Sequence, residues 1–332
     1  MNRARAVETL APHAGARLLV HMQRGHARLM LETGPGLHAA DLVLQCDAYG
    51  SMDALLGDYL ACDAVRTHLR LPVRHAAIAL DGEVDGDAVH LARQQWTFSL
   101  AALRARFGIS AMLAVDDLTA LTIGAPALPA GQRFALAAGT PQPGGQVAVL
   151  SSGALLRWGG AVADCGRYEC VDSTGLRLGY EPGTDDDARL MRALWNACGR
   201  VSLSRLLSAA GLESIYHALA NRPVPAARIV LQALAGSCAM SVRAVGFFLS
   251  ALGAVAGDLA AQMDARGGVY ISGSTLPLLG ELFERSDFSA RYQERAARLS
   301  GHDSAPAYLV NDGDAIMQGM SGILGECLRQ HG

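Results

Sequence analysis

The residues of this chain that could do chemistry gather in a few short stretches. The first is Val20-His21-Met22-Gln23-Arg24-Gly25-His26-Ala27, two apolar arms around a polar turn. A turn that grips phosphate needs exposed backbone N–H groups and no bulky side chains. This turn sets one glycine, Gly25, among His21, Gln23 and Arg24. His21 and His26 on a hairpin lack the further ligands that a metal site requires. The second stretch is Asp116-Asp117, which closes the apolar run Met112–Val115. A carboxylate there could serve as a general base. As a metal pair the two are ill placed, because adjacent strand residues point to opposite faces. The third stretch is Ser151-Ser152-Gly153-Ala154, again a turn with little glycine.

Other reactive types narrow the chemistry. All 28 basic residues are arginine. The chain therefore has no Walker-type phosphate loop, no Schiff-base lysine and no lysine general base. The seven cysteines are odd in number and scattered, without a Cys-x-x-Cys pair. They predict free thiols, a reducing and cytoplasmic setting, and no structural zinc. Asp185-Asp186-Asp187 reads as a helix start, where acidic side chains meet the positive end of the dipole. No metal site is expected. A net charge of −3 gives no general attraction to nucleic acid or to an anionic membrane.

The elements that must position these residues follow from hydrophobic period and caps. Leu18–Met22 and Ala27–Leu31 read as paired strands, with Asp41–Cys46 a third. Ser51 caps a helix whose Met52, Leu55, Leu56, Tyr59 and Leu60 share one face. Ala76–Leu80, Ala88–Leu91 and Met112–Val115 read as strands, and Ser99–Phe107 as a helix. Ala125–Gly145, rich in proline, reads as a loop. Gln146–Leu150 and Gly268–Ser272 are strands that feed turns. Thr184 caps a helix, Ser202–Ala210 is a helix closed by Gly211, and residues 226–263 and 314–329 are helical. The apolar run Ala244–Gly257 falls short of the roughly 20 residues of a membrane span, which predicts a buried helix. Gly253-x-x-x-Gly257 predicts close helix packing rather than a membrane dimer. This order predicts an α/β protein with two lobes and a cleft between them.

Several stretches, taken together, resemble bacterial glucokinases of the hexokinase–actin-like fold, over roughly residues 18 to 325. They are Ala27-Arg28-Leu29, Gln95-Trp96-Thr97-Phe98-Ser99 and Val115-Asp116-Asp117-Leu118-Thr119-Ala120. Val201-Ser202-Leu203-Ser204-Arg205-Leu206-Leu207-Ser208 with Gly211-Leu212, and Gly267-Gly268-Val269-Tyr270-Ile271-Ser272-Gly273, complete the set. The resemblance implies a two-lobed ribonuclease H-like α/β fold, each lobe a mixed sheet flanked by helices. The small lobe would hold residues 1–115 with 312–332. The large lobe would hold 116–311 and form a homodimer. The implied activity is ATP-dependent phosphorylation of glucose, with ATP and magnesium as cofactors.

At the positions that carry this activity the chain departs from the family. Asp117 keeps the place of the base that accepts the sugar hydroxyl proton. The hairpin Asp is replaced by His21, and the glycines and following pair by Gln23, Arg24, Gly25 and His26. The second phosphate loop keeps Gly153 but has Ala154 and Arg157, and Gly273 lies in the strand-and-turn that approaches the nucleotide. The sugar-contacting positions carry Arg93, Asp116, Thr174 and Arg177. Lost partners for sugar hydroxyls discriminate strongly against binding. The expectation is therefore a non-catalytic or regulatory glucokinase homologue. The alternative is an active kinase, of glucose or another sugar, with an atypical site. Arg24, Arg93, Arg157 and Arg177 predict a basic cleft that binds a small anion or pairs with Asp116 and Asp117. Partners would be a sugar or sugar phosphate, a second copy, or a true glucokinase in a mixed dimer. Without a helix-turn-helix segment before Leu18, nucleic-acid binding is not expected.

Overall fold

The computed structural model describes residues 15–331 apart from 24, 35, 154–155, 165–166, 172–175, 177, 200, 274 and 301–304. The chain divides into two compact units, Met1–Ala127 with Gly313–Gly332, and Leu128–Asp312.

The first unit runs β1 (Ala16–Met22), β2 (His26–Gly34), β3 (Leu37–Gln45), α1 (Met52–Ala61), α2 (Asp63–Arg66) and β4 (Val73–Leu80). It continues with β5 (Glu83–Asp85), β6 (Ala88–Leu91), β7 (Trp96–Ser99), α3 (Leu100–Phe107), β8 (Ala111–Asp116) and α4 (Asp117–Gly124). Five strands form a sheet in the order β3-β2-β1-β4-β8. β1–β2 and β2–β3 are antiparallel, whereas β1–β4 and β4–β8 are parallel. The parallel strands are near-continuous apolar runs, as strands covered on both faces must be. Leu18, Leu19, Val20 and Ala76–Leu80 are all buried. Helix starts follow local capping: Ser51 Oγ accepts from Ala54 N–H and Ser99 Oγ from Ala102 N–H. β5, β6 and β7 form a small antiparallel sheet of their own.

The second unit holds β9 (Arg133–Ala137), β10 (Val147–Ser152), β11 (Leu156–Asp164), β12 (Arg167–Val171), α5 (Asp185–Cys198), α6 (Leu203–Leu206) and α7 (Ala209–Ala220). Then come α8 (Ala226–Leu234), α9 (Ala239–Gln262), β13 (Gly268–Ser272), α10 (Gly280–Glu284), α11 (Phe288–Ser300) and β14 (Ala307–Val310). Its sheet order is β12-β11-β10-β13-β14-β9. The plan repeats that of the first unit: an antiparallel trio whose inner strand starts a parallel trio. β9 adds an antiparallel edge beside β14. The chain then forms α12 (Asp312–His331), which from Gly313 onward belongs to the first unit.

Three readings of the sequence change here. The segment Ala125–Gly145 contains a strand, β9. Gly211 does not close a helix; it lies inside α7, where a Cβ would come within 2.1 Å of Arg205 O. The helical stretch from 226 is two helices, parted around Gly236 at φ +63°.

α9 has 24 residues and is long and apolar enough, by length and composition, to cross a membrane. Its apolar window is 83% buried inside the protein, which makes it a core helix. Gly253 and Gly257 let it touch α11: a Cβ at either would lie within 2.5 Å of a backbone oxygen, that of Phe288 or Tyr292. In the first unit, α4 and α12 meet the same way through Gly124 and Gly319, opposite Ala315 O and Ala120 O. This contact holds α4 in the first unit, which runs to Ala127.

Candidate functional site

In an open α/β sheet, ligands bind beyond the carboxyl ends of the parallel strands. In the first unit those ends are His21-Met22 on β1, Ala79-Leu80 on β4 and Val115-Asp116 on β8. The register is direct: His21 pairs with Ala79, and Ala79 with Val115. Strand topology thus brings the His21 turn and the Asp116-Asp117 pair to one edge.

His21 is 3% exposed. Burial, then the charge of Arg28 and His26, lowers its pKa to about 4, so the imidazole is neutral at neutral pH. Its Nδ1 lies 3.2 Å from Gln23 Nε2. With the amide as donor, the ring proton sits on Nε2. The turn is closed by its own backbone: Gln23 N–H donates to His26 O at 2.8 Å, and Cys46 N–H donates to Gly25 O at 2.9 Å. Gln94, from the turn between β6 and β7, donates to Gln23 O at 2.9 Å. Sequence reasoning missed Gln94. Its one signal is its place beside Trp96, whose buried ring fixes the start of β7.

Arg28 ties this region together. Its Nε and Nη2 donate to the Asp41 carboxylate at 2.9 and 2.6 Å, and its Nη1 reaches Asp314 at 2.7 Å. The guanidinium hydrogen bonds hold the Asp41 carboxyl below the usual carboxylate range. The Ala27-Arg28-Leu29 motif therefore joins β2, β3 and α12.

Asp116 and Asp117 have different backbone settings. Asp116 is the N-cap of α4, and its Oδ1 accepts from Thr119 N–H at 3.1 Å. Asp117 is the first residue of the helix. They straddle a strand-to-helix boundary, so strand alternation is not what separates them. Arg93 is exposed on the turn before β7.

In the second unit the corresponding hairpin joins β10 and β11, and Gly153 follows β10 there. Ser152 is 5% exposed, and its Oγ donates to Leu207 O at 2.7 Å. Gly273 follows β13 at φ +155°, and a Cβ on it would come within 2.2 Å of Ser152 O. Only glycine fits both that backbone and that approach. Arg157 is half-buried on β11. Arg24, Ala154, Thr174 and Arg177 lie outside the described residues.

At the first hairpin His21 does not fit the place of a magnesium ligand. Magnesium prefers hard oxygen ligands, and His21 supplies a neutral ring whose Nδ1 is engaged. Of the N–H groups that a phosphate would need, that of Gln23 is donated to His26 O. Among the described residues no group of three or more His, Cys, Asp or Glu side chains could hold a metal ion. Cys46, Cys62, Cys170, Cys238 and Cys327 are free thiols.

The paired sheets, each an antiparallel hairpin followed by parallel strands, define the actin–hexokinase class of sugar-kinase fold. A solved glucokinase from an Antarctic psychrotroph has this fold, with a TM-score of 0.82 and 24% identity over 94% of this chain and 99% of that one. The chain matches the glucokinase family over residues 25–326, and it belongs to that family. A glucokinase of Chromobacterium violaceum is 30% identical over 97% of this chain and 93% of its own length. The bifunctional protein glk of Paraburkholderia xenovorans is 31% identical over 98% of this chain, which spans 51% of that relative's length.

Proposed function

We propose that this chain is a non-catalytic, regulatory or ligand-sensing member of the glucokinase family. The observation that carries this reading is His21. A buried neutral imidazole, bonded within its own turn, stands where the resemblance would set the family's carboxylate. Phosphoryl transfer depends mostly on positioning and on neutralising charge on the phosphates. A base without a held phosphate has little to act on. Arg93, Asp116, Thr174 and Arg177 at the sugar positions weaken glucose recognition in the same direction. The protein would act in the cytoplasm, on a sugar or sugar phosphate, as a homodimer or as a partner of an active glucokinase.

The second reading, an active kinase of glucose or another sugar using ATP and magnesium, is favoured by Asp117. It begins α4 at the carboxyl end of β8, where a ligand-facing base belongs. A phosphotransfer assay with ATP–magnesium and a panel of hexoses separates the two. The non-catalytic reading predicts no sugar-dependent ADP release above background. Turnover that disappears in Asp117→Asn would establish the second reading instead.

A further inference from the structure

Gln94 reaches from its own turn to another segment of the first unit. Its side-chain amide donates to Gln23 O at 2.9 Å, across 71 residues of sequence. Cys46 is 2% exposed and starts the turn that follows β3. Its own N–H holds Gly25 O at 2.9 Å. Two segments are thus pinned to the β1–β2 turn: the 92–95 turn through the Gln94 amide, and the end of β3 through the Cys46 N–H. Through β6 and β7, the 92–95 turn also carries Arg93.

The next residue records a cost. Gln95 sits at φ +55°, in the left-handed region that disfavours side chains with a Cβ. Such a conformation persists where the surroundings over-determine it. Here the surroundings are Trp96, 7% exposed, on one side and the Gln94 hydrogen bond on the other. A relaxed backbone at Gln95 would turn Gln94 away from the hairpin or Trp96 out of the core.

We propose that Gln94 is a latch that couples the 92–95 turn to the first hairpin and holds the hairpin in its own hydrogen-bonded form without a ligand. The two segments that the family would use for sugar and phosphate are then fixed to each other. The Gln94 amide does this through the Gln23 carbonyl. The proposal rests on the non-catalytic reading in one respect: no nucleotide competes for the turn.

The test is residue-resolved amide hydrogen exchange on the full chain, comparing wild type with Gln94→Ala and Gln94→Glu. Glu keeps the shape but cannot donate to Gln23 O when ionised. Both variants should speed exchange at the Gln23 and Cys46 amides by roughly three- to tenfold, the effect of one net hydrogen bond. β13 amides in the second unit should not change. Alkylation of Cys46, mapped by mass, should quicken in the same two variants. Wild-type exchange and alkylation in a folded Gln94→Ala, or in Gln94→Glu, would overturn the latch. A separate arm adds ATP–magnesium to wild type. Slower hairpin exchange there would count against the non-catalytic reading, and the Gln94 comparison would still decide the latch.

Discussion

The first hairpin of each unit begins the same strand plan, and the two are held in opposite ways. The β1–β2 turn is held by side chains: His21 against Gln23, and Gln94 against the Gln23 carbonyl. The β10–β11 turn is backed by close backbone approach, with Gly273 pressed on Ser152 O and the Ser152 hydroxyl bound to Leu207 O. A side-chain plug can be changed one atom at a time. A backbone contact admits no added atom. A phosphate-gripping turn needs open backbone N–H groups, and in the proposed non-catalytic reading the polar side chains of the first unit's turn stand against that use.

The largest effect should fall on the second unit. Gly273→Ala places a methyl group 2.2 Å from a backbone oxygen at a φ that alanine disfavours. A loss of about 3 kcal/mol or more is expected, read as the shift of the urea midpoint. Gly25→Ala in the first turn meets nothing within 4 Å and should change stability by less than about 0.5 kcal/mol. Equal effects at the two glycines would break the comparison.

The next effect belongs to His21. Its pKa is about 4 in the folded protein, against an ordinary value of 6.5. Between those values the unfolded chain binds more protons, so stability falls as pH drops through that window. It is fully present above about pH 6.5, and the total loss is up to about 3 kcal/mol. Denaturant midpoints measured from pH 7 to 4 should slope less in His21→Gln. An unchanged slope would place the titration elsewhere.

Smaller effects sharpen the picture. Ser152→Ala leaves the Leu207 carbonyl without that buried donor and should cost about 1–2 kcal/mol. Arg28→Ala removes the ties to Asp41 and Asp314 at a partly exposed site, which discounts the loss to about 1 kcal/mol. The loss should shrink in acid, as protonation of Asp41 removes its half of the pairing. Denaturant midpoints followed from pH 7 down through the acid range below the ordinary carboxylate value check this.

Much of this was legible in the sequence because it is local. The caps at Ser51 and Thr184 are where residue type predicts them, and Thr184 with Asp187 forms a full capping box. The buried strands β1, β4 and β8 announce themselves as apolar runs. β9 was not legible, because its pairing with β14 depends on residues far apart in the chain. Gly211 misled because a glycine that ends a helix and one that permits tight packing look alike in one sequence. At the candidate site, the residue types at His21 and Asp116-Asp117 could be read directly. That Asp116 caps α4, and that Gln94 closes the hairpin, depends on side-chain contacts that no spacing encodes.

The central proposal is that the first hairpin holds no nucleotide phosphate. Thermal melting of the full chain with ATP–magnesium, glucose, glucose 6-phosphate and other sugar phosphates tests it, because a ligand that binds the folded state raises the melting temperature. We expect no shift with ATP–magnesium, alone or with glucose. A concentration-dependent rise with ATP–magnesium that grows when glucose is added would contradict the account.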